Sequence, residues 1–264
     1  MNHLWRRIRD EWEHPEEREF VFPTILALMV VLMLGSPIMR WAMQPGMETA
    51  STPGFLKQVI ETGLSLGMAI ILMASIWAYS SKKRRTDFSL LLFLIAIILS
   101  LVNLLFSAGY GLLELSYLPQ IPLLFIACYT LLHYLIRARR VTTGTLSGAV
   151  LCYLLLALMF THLYLLVWWL DPGSFKGIET WNPESGLRPL DFAIQSELMS
   201  SLQYFSMTTI TTLGYGDLTP TNAVGRSLAT AEAAFGQIYI GIVIAKLVSL
   251  YMREPGATQE DREE

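Results

Sequence analysis

Between positions 208 and 217 the chain reads Thr208-Thr209-Ile210-Thr211-Thr212-Leu213-Gly214-Tyr215-Gly216-Asp217. A hydrated cation that enters a membrane must give up its water, and a pore must offer oxygen in exchange. Consecutive backbone carbonyls can do so if all of them point to one axis. That requires the backbone to alternate between left- and right-handed conformations, which glycine tolerates and most residues do not. Gly214 and Gly216 stand at the alternate positions where this is needed. The carbonyls of Thr212, Leu213, Gly214 and Tyr215, with the Thr212 hydroxyl, would then form successive rings of oxygen.

The hexapeptide Thr212-Leu213-Gly214-Tyr215-Gly216-Asp217 resembles the selectivity-filter signature of the potassium channel family. The preceding Tyr204-Phe205-Ser206-Met207-Thr208-Thr209 looks like that family's pore helix. The resemblance implies a filter over Thr212, Leu213, Gly214, Tyr215 and Gly216, with K+ held at Thr212, Leu213, Gly214 and Tyr215. Carbonyl rings of this kind are the known design of potassium channels. Asp217 takes the family's place at the outer mouth, where it would hydrogen-bond behind the filter and raise the local cation concentration. One chain supplies one filter strand, so the resemblance implies a homotetramer with cyclic symmetry. There are two departures. Leu213 stands where Val or Ile is commoner, and its side chain points away from the ions, so selectivity is expected to survive. Thr208 stands where some members carry a buried carboxylate paired with the filter aspartate, and threonine cannot ionise. The bland alternative is a Gly-rich turn between helices. Its setting, after a short amphipathic helix and before a long apolar span, argues against that.

The last apolar run, Gly225–Tyr251, should line the inner pore, and its stretch from Gly236 to Ser249 looks like the inner helices of small bacterial ion channels. Gly236 lies near the place of that family's hinge glycine. Glycine lowers the cost of bending a helix and equally allows close helix packing in a membrane. Glu232 is a carboxylate inside this run and must face a partner or water. A structural hydrogen bond behind the pore is favoured over a role in conduction.

These segments need a membrane scaffold. Of 264 residues, 53% are hydrophobic and 16% charged, and the mean hydropathy is +0.45. Six apolar runs stand out, at about Phe20–Met39, Val59–Tyr79, Phe88–Phe106, Leu118–Ile136, Leu146–Leu170 and Gly225–Tyr251. In lipid such runs must satisfy their own backbone groups, and so they form helices. The mixed stretch Gln195–Ile210 reads as too short to span and suits a re-entrant helix. The expected fold is an all-α membrane protein with six transmembrane helices, a re-entrant pore helix and a filter loop. Its expected divisions are a cytoplasmic segment 1–19, a four-helix accessory domain 20–142, a pore domain 143–253 and a cytoplasmic tail 254–264. No cleavable signal is expected, because the first apolar run is too long and lacks a small-residue cleavage site. Cys128 and Cys152 both fall in apolar runs and read as buried free thiols.

Basic residues set the orientation. Arg6, Arg7, Arg9, Arg18, Lys82, Lys83, Arg84, Arg85, Arg137, Arg139, Arg140, Lys246, Arg253 and Arg262 fall on one side of a six-span arrangement, and these are most of the 19. The positive-inside rule makes that side cytoplasmic, with both termini inside, in a multi-pass protein of the plasma membrane. Trp41, Tyr117, Trp168 and Trp169 then lie at outer span ends, and Trp77, Tyr79 and Tyr251 at inner ones, as lipid anchors. Six spans with a filter before the sixth resemble the voltage-gated layout. A sensor, however, needs charge in the fourth span, and Leu118–Ile136 contains no Arg or Lys, only His133. Little intrinsic voltage sensing is expected. His133 and His162 could titrate near neutrality, although packing roles are favoured. Asn103 and Glu114 read as packing or interface positions.

Other classes fit less well. A less selective cation channel would need a broken Gly-Tyr-Gly-Asp. A potassium symporter subunit carries degenerate single-glycine filters, four per chain. A receptor with a vestigial pore sits poorly with an intact filter. The chain has no metal cluster, nucleophile elbow or phosphate loop, so no enzyme, no nucleic-acid partner and no cofactor beyond permeant K+ is expected. Membrane lipids are the other expected partners. The gating stimulus, a ligand among the options, is not legible.

Overall fold

The computed structural model describes residues 23–33, 62–63, 66–74, 76, 83–106, 117–138, 141–178 and 192–252, with the side chains of 83–87, 103–106, 192–197 and 250–251 left aside. The segment 1–19, the tail 254–264, Trp41, Trp77, Tyr79, Lys82, Glu114, Arg139, Arg140, Arg253 and the connection 179–191 lie outside the described residues. The same holds for the side chains of Asn103 and Tyr251.

Helix is the dominant structure. Helix α1 is Pro23–Met33, α2 covers 66–74, α3 is Lys83–Phe106, α4 Gln120–Arg137, α5 Thr143–Leu170, α6 Phe192–Ile210 and α7 Ala223–Tyr251. Among the described residues, α4, α5 and α7 are long and apolar enough to cross a membrane, while α1 and Phe88–Val102 of α3 are shorter apolar stretches. At about 1.5 Å per residue, the 28 residues of α5 and 29 of α7 run beyond the ~30 Å hydrocarbon core. This is a helical membrane protein.

Local chemistry sets where the helices begin. Helix α5 starts at Thr143 rather than at the first apolar residue, because Thr142 caps it. The Thr145 N–H donates to Thr142 Oγ1 at 3.2 Å, and the Thr142 N–H donates back to Thr145 Oγ1 at 2.8 Å. This reciprocal pair satisfies two of the otherwise orphaned donors of the first turn. Helix α7 starts at Ala223, with Asn222 Oδ1 accepting from the Gly225 N–H at 2.8 Å, an N-cap of the usual kind. Hydropathy is blind to both caps. Helix α6 has 19 residues, so its length is not what keeps it from spanning, contrary to the expectation for Gln195–Ile210. Its serines, threonines, glutamines and Glu197 make it too polar for lipid.

The arrangement is centred on α5. It packs against α4 on one side and against α6 and α7 on the other, while α6 also packs on α7, and α3 packs on α4. Leu123, Leu124, Ala127 and Leu131 of α4 share one buried cluster with Leu151, Leu155 and Leu158 of α5 and with Leu198 and Leu202 of α6. Met29 of α1 and Ile71 and Leu72 of α2 join it. Trp168 is buried and Trp169 partly so. Cys128 and Cys152 are buried free thiols.

The helical frame carries one short strand pair. Strand β1, Phe175–Lys176, pairs antiparallel with β2, Thr219–Pro220, with Phe175 opposite Pro220 and Lys176 opposite Thr219. Two-residue strands have no hydropathy signature. They form because the chain leaving α5 runs beside the chain leaving the Gly-Tyr-Gly-Asp segment, and each has backbone groups to satisfy.

Candidate ion-conduction site

The chain reverses at the C-terminal end of α6. Its last turn leaves carbonyls without helical partners, and the next residues supply the donors. The Thr211 N–H donates to Met207 O at 3.2 Å and the Thr212 N–H to Thr209 O at 3.0 Å. The Thr208 carbonyl accepts from the Leu213 N–H at 2.8 Å, the Gly214 N–H at 3.2 Å and, more weakly, Thr211 Oγ1 at 3.5 Å. The start of the Thr212–Gly216 segment is thereby tied through its donors. Among the described residues, the carbonyls of Thr212, Leu213, Gly214 and Tyr215 accept no hydrogen bond. Thr212 Oγ1 donates to Thr211 O at 2.7 Å.

The backbone of this segment visits the left-handed region at every second residue. The φ angle is +60° at Thr212, +53° at Gly214 and +82° at Gly216. Glycine was expected to carry this at Gly214 and Gly216. Thr212 does so as a threonine, the one non-glycine with positive φ among the described residues. That conformation costs an L-residue about 1–2 kcal/mol, and the sequence carries no sign of it.

Behind the segment, side chains from other elements clasp it. Tyr204 Oη donates to Asp217 Oδ2 at 2.8 Å, and the Tyr204 ring stacks on that of Tyr215, centroids 6.4 Å apart at 6°. Asp217 is thus tied to α6 across the whole turn. Thr208, where a carboxylate could have stood, instead donates to Phe205 O at 3.0 Å and is buried. On the far side, the Thr221 N–H donates to Ser174 O at 2.8 Å and Asn222 Nδ2 donates to Asp171 Oδ2 at 3.0 Å. Gly177, at φ +98°, lies directly against the Asp217 carbonyl, so that a Cβ there would collide with it. Beneath, Tyr164, Phe175 and Phe205 meet edge to face, with centroid separations of 5.0–5.7 Å. Edge-to-face contacts of this kind hold rings at fixed angles.

The end of α6 is gripped from both neighbours. Tyr153 Oη of α5 donates to the Ile210 carbonyl at 2.9 Å. From the other side, Gly236 of α7 approaches so closely that a Cβ would lie 2.6 Å from that carbonyl oxygen and 2.8 Å from Ile210 Cγ1. Helix α7 is unbroken through Gly236, so the structure gives this glycine a contact. Tyr239 Oη donates to Ala149 O at 2.7 Å and ties α7 to α5 further along. Glu232 has no solvent exposure. Its carboxyl meets Tyr164 Oη of α5 and Ser206 Oγ of α6, each at 2.5 Å, so it is bonded behind α6. His162 is buried, with Nδ1 at 2.8 Å from Leu158 O and Nε2 at 3.3 Å from Gln120 Oε1, a packing position. His133 stacks on Tyr129.

Sequence reasoning missed Tyr153, Tyr164 and Gly177, and it placed Tyr204 and Ser206 in the pore helix without their bonds to Asp217 and Glu232. The one available signal was Glu232, since a carboxyl in an apolar helix demands polar partners on the facing helices.

One face is open. Tyr215 is 68% and Leu213 55% exposed in the single chain, and over an apolar 18-residue stretch only 11% of α7 is buried, against 67% of α5. Apolar side chains can face lipid. A run of unpaired carbonyls cannot, and irregular backbone at membrane depth must line water or be covered by protein.

A polar helix that ends in an extended, carbonyl-presenting segment and is followed by a long apolar helix is the architecture of an ion-channel pore. Residues 189–253 match the family model Ion_trans_2, described as ion channel. This stretch covers α6, the Thr212–Asp217 segment and all of α7, and it is consistent with a pore domain of the potassium-channel type. No curated protein and no solved structure matches the chain significantly.

Proposed function

We propose that the chain is one subunit of a homotetrameric, K+-selective channel that conducts passively across the plasma membrane, with both termini cytoplasmic. The observation that carries this reading is the Thr212–Tyr215 backbone, where left-handed φ recurs at alternate residues and four successive carbonyls are left without donors. Rings of such oxygens from several chains would replace a cation's water. One strand cannot enclose an ion, which supports assembly about an axis. Asp217, fixed by Tyr204, would hold the outer mouth. The C-terminal end of α6 carries a partial negative charge that would favour a cation in the cavity below. Residues 143–253 would form this pore and 20–142 the accessory domain, with membrane lipids around both.

Intrinsic voltage sensing is weak in this reading. Moving one elementary charge through 100 mV is worth ~2.3 kcal/mol, and the basic residue of α4 is Arg137, in its last turn. Gly236 is the proposed bend of the gate, and its contact with Ile210 would couple bending to the base of the filter. A gating ligand is compatible with this arrangement.

The test is ion flux from liposomes carrying the purified protein under potassium and sodium gradients, with barium as blocker. Barium-sensitive flux that favours potassium supports the proposal. Equal flux of the two ions would refute selectivity. Cross-linking in liposomes should give a ladder that ends at four chains, and one ending at two would refute the tetramer.

A further inference from the structure

Glu232 sits where three helices meet, and its protonation can be read by counting hydrogens. Four oxygen–oxygen contacts form one connected set. Thr161 Oγ1 lies 2.9 Å from the Ala157 carbonyl, and Ser206 Oγ lies 2.6 Å from the same carbonyl. Ser206 Oγ also lies 2.5 Å from Glu232 Oε1, and Tyr164 Oη lies 2.5 Å from Glu232 Oε2. Each contact needs a hydrogen between its oxygens, since two lone pairs facing at such distances repel. A carbonyl supplies none, and a serine, threonine or tyrosine hydroxyl supplies one each. Thr161, Ser206 and Tyr164 therefore provide three hydrogens for four contacts. The fourth can come only from the Glu232 carboxyl.

We propose that Glu232 is held as the neutral carboxylic acid and that its proton ties the inner helix to the pore helix. Tyr164 Oη donates to Oε2. Protonated Oε1 donates to Ser206 Oγ. Ser206 donates onward to Ala157 O, and Thr161 donates to the same oxygen. The chain runs from α7 through α6 to α5 and back, so a single proton completes the link among inner, pore and outer helices. The surroundings agree. Glu232 has no solvent exposure, the titratable side chains acting on or near it are Tyr164 and Tyr153 of α5, and among the described residues no cation acts on it. An unpaired carboxylate without water or a counter-charge is costly, whereas a neutral acid with both oxygens engaged is not. Glu232 is thus a positioning residue for the base of the filter, acting through Ser206. That role rests on the channel reading above, but the proton itself does not.

Substitution separates the two states. A glutamine amide donates through its NH2 to Ser206 Oγ and accepts from Tyr164 through its oxygen, which reproduces the acid and not the carboxylate. The experiment is infrared difference spectroscopy of the full-length protein in liposomes at neutral pH, wild type minus Glu232→Gln. The expected result is a neutral-acid C=O stretching band, present in wild type, lost in the variant and shifted by deuterium exchange. Alongside it, Glu232→Gln should keep wild-type thermal stability. Glu232→Ala should lose about tenfold or more in the folded-to-unfolded ratio, the scale of one buried hydrogen-bonding group left without a partner. If Glu232→Gln does not fold, 13C labelling of glutamate in the wild type reads the same band by its isotope shift. Carboxylate bands alone from Glu232, or a Gln variant that folds but is as unstable as the Ala variant, would overturn the proposal whether or not the pore conducts. If the band is present and flux is absent, the proton stands and the channel reading fails.

Discussion

Adding one methyl group at Gly236 is the sharpest single perturbation the structure offers. In Gly236→Ala the new carbon would sit 2.6 Å from the Ile210 carbonyl oxygen and 2.8 Å from Ile210 Cγ1, where comfortable carbon contacts lie near 3.5–4.0 Å. The side-chain contact can be relieved by a rotamer change. The carbonyl cannot withdraw easily, because Tyr153 Oη holds it at 2.9 Å and it ends the helix that carries the filter. Overpacking of this kind costs about 1–3 kcal/mol, while replacing glycine by alanine inside a helix returns about 0.5–1 kcal/mol. The net expectation is a loss of about 0.5–2 kcal/mol per chain, with α7 pushed away from Ile210 and the base of the filter disturbed. Gly241 is the internal control, since a Cβ there meets nothing within 4 Å, and Gly241→Ala should be neutral or slightly stabilising. The assay is thermal unfolding of the purified protein in detergent, paired with single-channel recording. If Gly236→Ala melts at or above wild type with unchanged open probability, both the close-packing argument and the proposed bend are wrong.

Other variants test the neighbouring parts. Gly214→Ala and Gly216→Ala place an L-residue at φ +53° and +82°, a strain of about 1–2 kcal/mol each, and should abolish potassium-selective flux while leaving the helix content by circular dichroism unchanged. Tyr204→Phe removes the 2.8 Å bond to Asp217 Oδ2. Its potassium flux should fall without a change in subunit assembly, and unaltered flux would show that Asp217 is held by other means. Gly177→Ala, which would drive a methyl into the Asp217 carbonyl, should reduce flux at least as much as Tyr204→Phe. Open probability recorded between −100 and +100 mV should change by less than one moving charge per subunit predicts, that is, by less than ~2.3 kcal/mol per 100 mV for each.

What the sequence disclosed follows from which interactions are local. Gly214 and Gly216 were legible because φ above zero selects glycine, and the long helices because lipid forces apolar runs. Asp217 could be placed by its position beside them. Thr212 was not legible in this way, because its left-handed φ is imposed by the hydrogen bonds of the flanking Leu213 and Gly214 to Thr208 O and not by its own side chain. Tyr153, Tyr164, Tyr204 and Ser206 look like ordinary helix residues until packing brings Ile210, Glu232 and Asp217 to them. The β1–β2 pair depends on two chain exits running side by side, which no short pattern encodes. Gly236 was legible as a glycine that mattered, with bending and close packing both open. The structure adds the contact with Ile210.

The central claim is that Thr212–Tyr215 carbonyls replace the water of K+ and not of Na+. The most direct measurement is the reversal potential of the purified channel in a planar bilayer with potassium on one side and sodium on the other at equal concentration. The account predicts a potential displaced far towards the potassium equilibrium value and abolished by barium block of the current. A reversal potential at zero would contradict it.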